Sequence, residues 1–262
     1  MAAPACLLAQ NQGPATASPV SKNAPPTPFS RLGLSVGIGA GGINMQAAVE
    51  ASRHLNIRGV GNYFSYTVNN VKISGNGGSN GVDVSGNINL ATGGAYLDYY
   101  PWPNHGFRLS PGLVFYNQNQ ISASGTAPAG ASITLGPTKY YADSVDPFAL
   151  NPKVTFNTHE QAFSATAGFG NLISRKGGHF SVPFEIGAVF TGAPAIALNI
   201  TGNGCTNSAD TATNGPSCVN MATDPTAQSN IAAQTAKYQN DLNVLKVYPV
   251  FSIGFGFNFS IH

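Results

Sequence analysis

The segment Tyr248 to Phe259 reads YPVFSIGFGFNF, with Phe251, Ile253, Phe255, Phe257 and Phe259 on one parity and Ser252, Gly254, Gly256 and Asn258 on the other. Strict alternation predicts a β-strand, because successive side chains point to opposite faces of a sheet. A soluble strand would set charged or hydroxylated residues against its apolar face. Here the second face is too small for an ordinary solvated surface and suits the lining of a narrow, crowded tube. The phenylalanines then face outward, and only lipid accepts such an exterior.

The same alternation recurs along the chain and predicts eight strands. Strand 31–39 sets Leu32, Leu34, Val36 and Ile38 against Arg31, Gly33, Ser35 and Gly37. Strand 44–52 sets Met45, Ala47, Val49 and Ala51 against Gln46, Ala48, Glu50 and Ser52. Segments 56–68 and 88–100 follow, the first with mixed parity that predicts a bulge or a displaced end. Strands 107–118, 159–170, 179–191 and 248–259 complete the set.

The connections sort by length. Short turns join the second strand to the third, the fourth to the fifth and the sixth to the seventh. Long Gly/Asn/Ser/Thr-rich stretches, 69–87, 119–158 and 192–246, join the others, except for a short first hairpin near AGGI. Alternating short and long connections are the habit of a membrane barrel, with short periplasmic turns and long outer loops. Tyr99, Tyr100, Trp102 and Phe107 gather at one short turn, with Phe257 and Phe259 at the last strand's end. These six are expected to form an aromatic girdle at the membrane boundary. The predicted fold is therefore all-β, a closed antiparallel transmembrane β-barrel spanning 29–262.

Composition sharpens this picture. Charged residues make up 8% of the chain, against about a quarter in soluble domains. No Lys/Arg cluster exists to track phosphates, which disfavours a nucleic-acid partner. Residues 1–28 read as a signal remnant, ending near Ala9, and a Pro/Ala/Ser-rich leader. Two features mislead. Residues 32–49 carry no charge until Glu50, but their glycines, Asn44 and Gln46 disfavour a membrane helix. Gly37-x-Gly39-x-x-Gly42 matches a dinucleotide loop, yet no acidic residue follows at the ribose-binding distance and no βαβ rhythm surrounds it.

Strand charges share the small-residue parity: Arg31, Glu50, Asp98, Arg108, Glu160 and Glu185. A basic residue facing lipid at mid-membrane costs about 2–4 kcal/mol, so these belong in the lumen. Arg31 and Arg108 are expected to pair there with Glu50, Asp98 and Glu185 as an ion-pair plug. Cys205 and Cys218 lie in one long loop and are expected to form a disulfide in an oxidising compartment, leaving Cys6 over. Asp224-Pro225 opens a short helix in the last loop, with Ile231, Tyr238, Leu242 and Leu245 at helical spacing. The five histidines show no ligand spacing, and no Ser/His/acid set stands out. The reading is a non-enzymatic chain with no metal and no cofactor.

The pieces NYFSY (62–66), LDYYP (97–101), FRLSPGLVFYN (107–117) and YPVFSIGFGFNF (248–259) resemble small, mostly uncharacterised outer-membrane β-barrel proteins of Gram-negative bacteria. The resemblance spans residues 29 to 259 and describes scaffold. It implies the bacterial outer membrane as location, with outer-membrane lipid, lipopolysaccharide and the barrel-assembly machinery as partners. Such chains usually end on an aromatic residue, whereas Ser260, Ile261 and His262 follow Phe259 here. The expected role is structural or loop-presenting; the alternative is transport or binding of small hydrophobic molecules.

Overall fold

In the computed structural model, which describes residues 27–73, 82–156, 161–175 and 177–261, the alternating segments close into a ring. The strands in chain order are β1 Arg31–Gly39, β2 Gly42–Ser52, β3 Leu55–Ile73, β4 Val82–Tyr99, β5 Arg108–Asn117, β6 Gln120–Thr126, β7 Ser132–Leu135, β8 Thr138–Ala142 and β9 Ala149–Thr155. They continue with β10 Ala162–Phe169, β11 Phe180–Ser181, β12 Phe184–Phe190, β13 Ala195–Thr201, β14 Asn203–Cys205, β15 Cys218–Asn220, the helix α1 Pro225–Leu242 and β16 Tyr248–Ser260. The ring runs β1-β2-β3-β4-β5-β10-β12-β16 and returns to β1, antiparallel throughout. These are the eight predicted strands. The leader through residue 26, with Cys6, and also Glu160, His159 and His262 lie outside the described residues.

The parity reading fixes which face meets lipid. Phe251, Ile253, Phe255 and Phe257 are exposed, while Ser252, Gly254, Gly256 and Asn258 between them are buried. On β1 the exposed set is Leu34, Val36 and Ile38. Phe255 is 75% exposed, a value that only a lipid contact makes reasonable for a phenylalanine in a regular strand. No helix among the described residues is long and apolar enough to cross a membrane; the crossing is made by strands, whose backbone groups a closed ring satisfies in full.

The mixed parity of 56–68 has a physical cause. β3 and β4 outrun the barrel: β2 leaves β3 at the Ile43–Tyr63 pair, while β3 and β4 stay paired out to Ile73 and Val82. Above the rim the lumen-side parity no longer lines a lumen, so Phe64 and Tyr66 sit there, stacked at 6.5 Å. Of the two expected causes the displaced end applies, since β3 runs on to Ile73, and the register shift between Val68 and Val71 lies beyond the mixed-parity stretch.

The long connections are not plain loops. β6, β9 and β13 add to the upper half of β4, giving a sheet ordered β3-β4-β6-β9-β13 above the barrel. β7, β8, β14 and β15 form a second small sheet. Ala127, Leu135, Tyr140, Ala142, Phe148, Ile200, Met221 and Ile231 build a core there, separate from the barrel. Cys205 and Cys218 face each other across β14 and β15 and are joined in a disulfide. The helix starts as its sequence requires: Asp224 caps it, accepting from the Ala227 amide at 2.8 Å, with Pro225 in the first turn. Its packing departs from the apolar repeat. Ile231 is buried, but Tyr238 and Leu245 are exposed. The helix docks instead through Ala227, Ile231 and two amides: Asn230 donates to the Tyr140 hydroxyl at 2.9 Å, and Gln239 donates to the Pro194 carbonyl at 2.7 Å.

Candidate functional site: the lumen and its plug

A ring of eight strands leaves an interior that side chains can fill, and three layers fill it here. In the middle one of these layers, inward positions of four strands bring Arg58, Asp98, Arg108 and Glu185 together. Arg58 Nε lies 3.0 Å from both Asp98 carboxylate oxygens, and its Nη1 lies 2.8 Å from Glu185 Oε2. Arg108 Nη2 reaches the same Glu185 oxygen at 2.8 Å. Its Nε stands 3.9 Å from Asp98, an electrostatic contact without a hydrogen bond. The Ser110 hydroxyl donates to Asp98 at 2.7 Å. Two cations and two anions, all buried, leave this layer neutral. Taking such charges out of water is costly unless they are paired and hydrogen-bonded.

Below, at the short-turn end, the connection between β10 and β12 folds back into the barrel. Leu172 and Ile173 are buried against Ala48. Room for them comes from the small lumen-facing residues that the alternation displays: a Cβ on Gly33 would sit 2.7 Å from the Leu172 carbonyl oxygen, and one on Gly256 would sit 2.8 Å from Leu172 Cδ1. From this segment Arg175 donates to Glu50 Oε1 at 2.9 Å, the Ser52 carbonyl at 2.8 Å and Asn56 Oδ1 at 2.9 Å. Its guanidinium lies over the Tyr100 ring at 4.9 Å. Burial pulls this guanidinium below its ordinary pKa, and Glu50 pulls it back; as an arginine it keeps its charge. Arg108 ties the two layers together by donating to the Gly170 carbonyl at 2.6 Å.

Above the ion pairs a chain of amides continues toward the long-loop end. Gln46 accepts from Arg58 at 3.1 Å and donates to Asn44 at 2.6 Å. Asn44 donates to Asn62 at 2.7 Å, and Asn62 donates to Thr92 at 3.0 Å. Tyr96 fills the opposite side, its hydroxyl 3.3 Å from the Ser164 hydroxyl. What remains open here is a cavity of about 50 Å³ reaching down to Glu185 and Ser252, room for a few waters.

Of the lumen residues expected from sequence, Asp98, Arg108 and Glu185 meet in the central layer, and Glu50 sits in the plug layer. Arg31 does not join them. It lies at the open end of β1, where it donates to the Ser174 carbonyl and the Asn258 side-chain oxygen, and no carboxylate pairs with it among the described residues. Its place is taken by Arg58 and Arg175. Arg58 was hidden by the mixed parity of its strand, although it shares register with Asn56 and Asn62. Arg175 sits in a turn, where parity says nothing; an apolar Leu-Ile pair inside a supposed solvent turn was the available signal.

The aromatic set also divides. Tyr99 and Trp102 are exposed, Phe107 packs between Trp102 at 6.2 Å and Phe169 at 5.2 Å, and Phe257 meets Phe259 at 6.4 Å. Tyr100 leaves the girdle. It is 0% exposed, because it shares the inward parity of Asp98, and it accepts from Asn56 at 3.3 Å. Among the described residues, no group of three or more His, Cys, Asp or Glu side chains could hold a metal ion.

No protein-family model and no curated protein matches the chain. Solved structures do. The crystal structure of Acinetobacter baumannii CarO is 18% identical, covering 89% of this chain and 98% of its own, with a TM-score of 0.52. That of Acinetobacter baumannii CarO2 is 15% identical, covering 89% and 100%, with a TM-score of 0.53. At these identities the likeness shows a shared fold. It extends over 89% of this chain.

Proposed function

We propose that this chain is a non-enzymatic β-barrel of the bacterial outer membrane whose lumen is sealed and whose working part is the folded module it holds outside. The observation that carries this reading is the filling of the lumen: a neutral four-residue ion-pair layer above an inserted segment locked by Arg175. Uptake of small hydrophobic molecules through the barrel would need an enclosure of about 300–1,000 Å³ for a drug-sized ligand. The cavity of about 50 Å³ above Glu185 weighs against it. The sorting of short and long connections supports an outer position for the module. The Cys205–Cys218 disulfide fits an oxidising space.

The test is electrical. Refolded protein inserted in a planar lipid bilayer should pass no steady current, while unheated gel samples report a folded barrel. A large, steady single-channel current from folded protein would overturn the sealed-lumen reading. A monomer that is soluble without detergent would overturn the membrane reading.

A further inference from the structure

The sheet above the barrel has two unlike faces. On the lumen-side face stand Ile88, Ile121, Val154, Leu198 and Ile200, the last two against the module's core. The opposite face is a field of short hydroxyl and carboxamide side chains. One row across all five strands reads Thr67, Asn87, Ser122, Lys153 and Ala197, each the Cα partner of the next. The row below it reads Ser65, Asn89, Gln120 and Thr155. These side chains are exposed or half-buried, and Thr67, Asn87, Ser122 and Lys153 of the first row border an open trough of about 450 Å³.

The position of this face decides what it meets. It has the same parity as Gly59 and Gly61 on β3 and Ala95 and Leu97 on β4, so it continues the lipid-facing wall upward. Tyr99, at the lower boundary, and Ala91, partner of the exposed Tyr63, stand eight residues apart on β4. At about 3.3 Å per residue and a tilt of about 40° the rise is about 20 Å, close to the apolar band of about 25 Å. Asn89 and Ser65 therefore begin where hydrocarbon ends. From there upward, the neighbour at this wall is the headgroup layer of the outer leaflet.

We propose that this face binds the sugar headgroups of the outer-leaflet glycolipid, with Lys153 taking a phosphate or sugar carboxylate. Neutral Ser, Thr and Asn side chains offer donors and acceptors in the mixture that sugar hydroxyls offer. Short side chains also lose little rotamer freedom on ordering. A face meant only for water would carry the usual mixture of charges of both signs; these two rows carry one, Lys153. The proposal rests on the membrane reading above, through the continuity of the face with the lipid-facing wall.

The experiment compares wild type with an N87A/S122A/K153A variant and, as a charge control, K237A on the exposed side of α1. Folding is read first from unheated gel mobility, and insertion from recovery in nanodiscs; failure at that step overturns the membrane reading before any glycan is added. Thermal unfolding is then measured in discs of phospholipid alone, with lipid A, and with lipopolysaccharide bearing its core oligosaccharide. Binding of the deacylated, water-soluble oligosaccharide is titrated in detergent. The expected result is an upward shift in midpoint with the full glycolipid beyond that with lipid A. The triple variant should lose this shift and bind the free oligosaccharide at least tenfold more weakly, while K237A matches wild type. Equal shifts with lipid A and the full glycolipid, or sugar binding retained by the triple variant, would overturn the proposal.

Discussion

Replacing Arg58 with alanine removes the group that touches both carboxylates of the central layer and Gln46 above it. Asp98 loses a two-oxygen contact at 3.0 Å, Glu185 loses one of its two arginines at 2.8 Å, and Gln46 loses a donor at 3.1 Å. The layer passes from neutral to one net negative charge among buried groups. Breaking a buried pair from one side costs about 3–5 kcal/mol. Glu185 keeps Arg108 at 2.8 Å and Asp98 keeps Ser110 at 2.7 Å, so the lower end applies. At 1.36 kcal/mol per decade, a loss of about 3 kcal/mol is roughly a hundredfold in the folding equilibrium. With a urea slope of about 1–3 kcal/mol per molar, the midpoint should fall by about 1–3 M. A matched variant separates charge imbalance from lost packing. Arg58→Met with Glu185→Gln removes one charge of each sign, leaves Arg108 facing Asp98, and should recover most of the loss. The assay is reversible unfolding of detergent-refolded barrel followed by gel mobility and tryptophan emission. An Arg58→Ala midpoint equal to wild type, or a double variant no better than the single one, would refute the reasoning.

The lipid-facing assignment is checked by Phe255→Lys, which places a cation midway down β16 and should cost about 2–4 kcal/mol in vesicles, against about 0–1 for Phe180→Lys at the boundary; equal costs would contradict the depth assignment. Replacing Cys205 and Cys218 with serine should cost about 3 kcal/mol through the freed loop, felt in the external module alone. Limited proteolysis should then cut between residues 203 and 220 while the barrel keeps its unheated mobility, and simultaneous loss of the barrel would show that the two cores are not independent.

How much of this was legible in the sequence depends on whether a position sits in a periodic environment. Inside the membrane every second residue meets lipid, so β1, β5, β10 and β16 were readable, and so were the inward Asp98, Arg108 and Glu185. Where the chain leaves the bilayer that rule lapses. Phe64 and Tyr66 break the parity of β3 because they lie above the rim, and that break hides Arg58, six residues below Phe64. Tyr100 has the chemistry of a boundary aromatic, but its register places it inside. The external strands β6, β9 and β13 have the alternation of a strand but are short and rich in Ser, Asn and Gly, the residues that also mark loops. Their pairing is set by neighbours more than thirty residues away in some cases, such as β4 with β6 and β9 with β13, and nothing local announces it. Arg175 and the inserted Leu172 and Ile173 belong to a turn, and turns have no period to read.

The ionic filling of the lumen raises a question that stability alone does not answer, since well-packed apolar residues often replace a buried ion pair without loss. In this barrel the exterior is already apolar. An apolar interior would make the two faces of each strand alike, and a strand with like faces is weakly held in register, because a one-residue slip exchanges them. With Arg58, Asp98, Arg108 and Glu185 inside, a slip of one residue in any of β3, β4, β5 or β12 would move a charge from its partners into lipid. For a basic residue facing lipid the cost runs from about 0–1 kcal/mol near the interface to about 2–4 kcal/mol at the midplane, and the partner left behind adds its own unpaired cost. The charges thus discriminate between registers more strongly than they stabilise the correct one. The same four residues that fill the middle of the lumen also tell each strand which side is in.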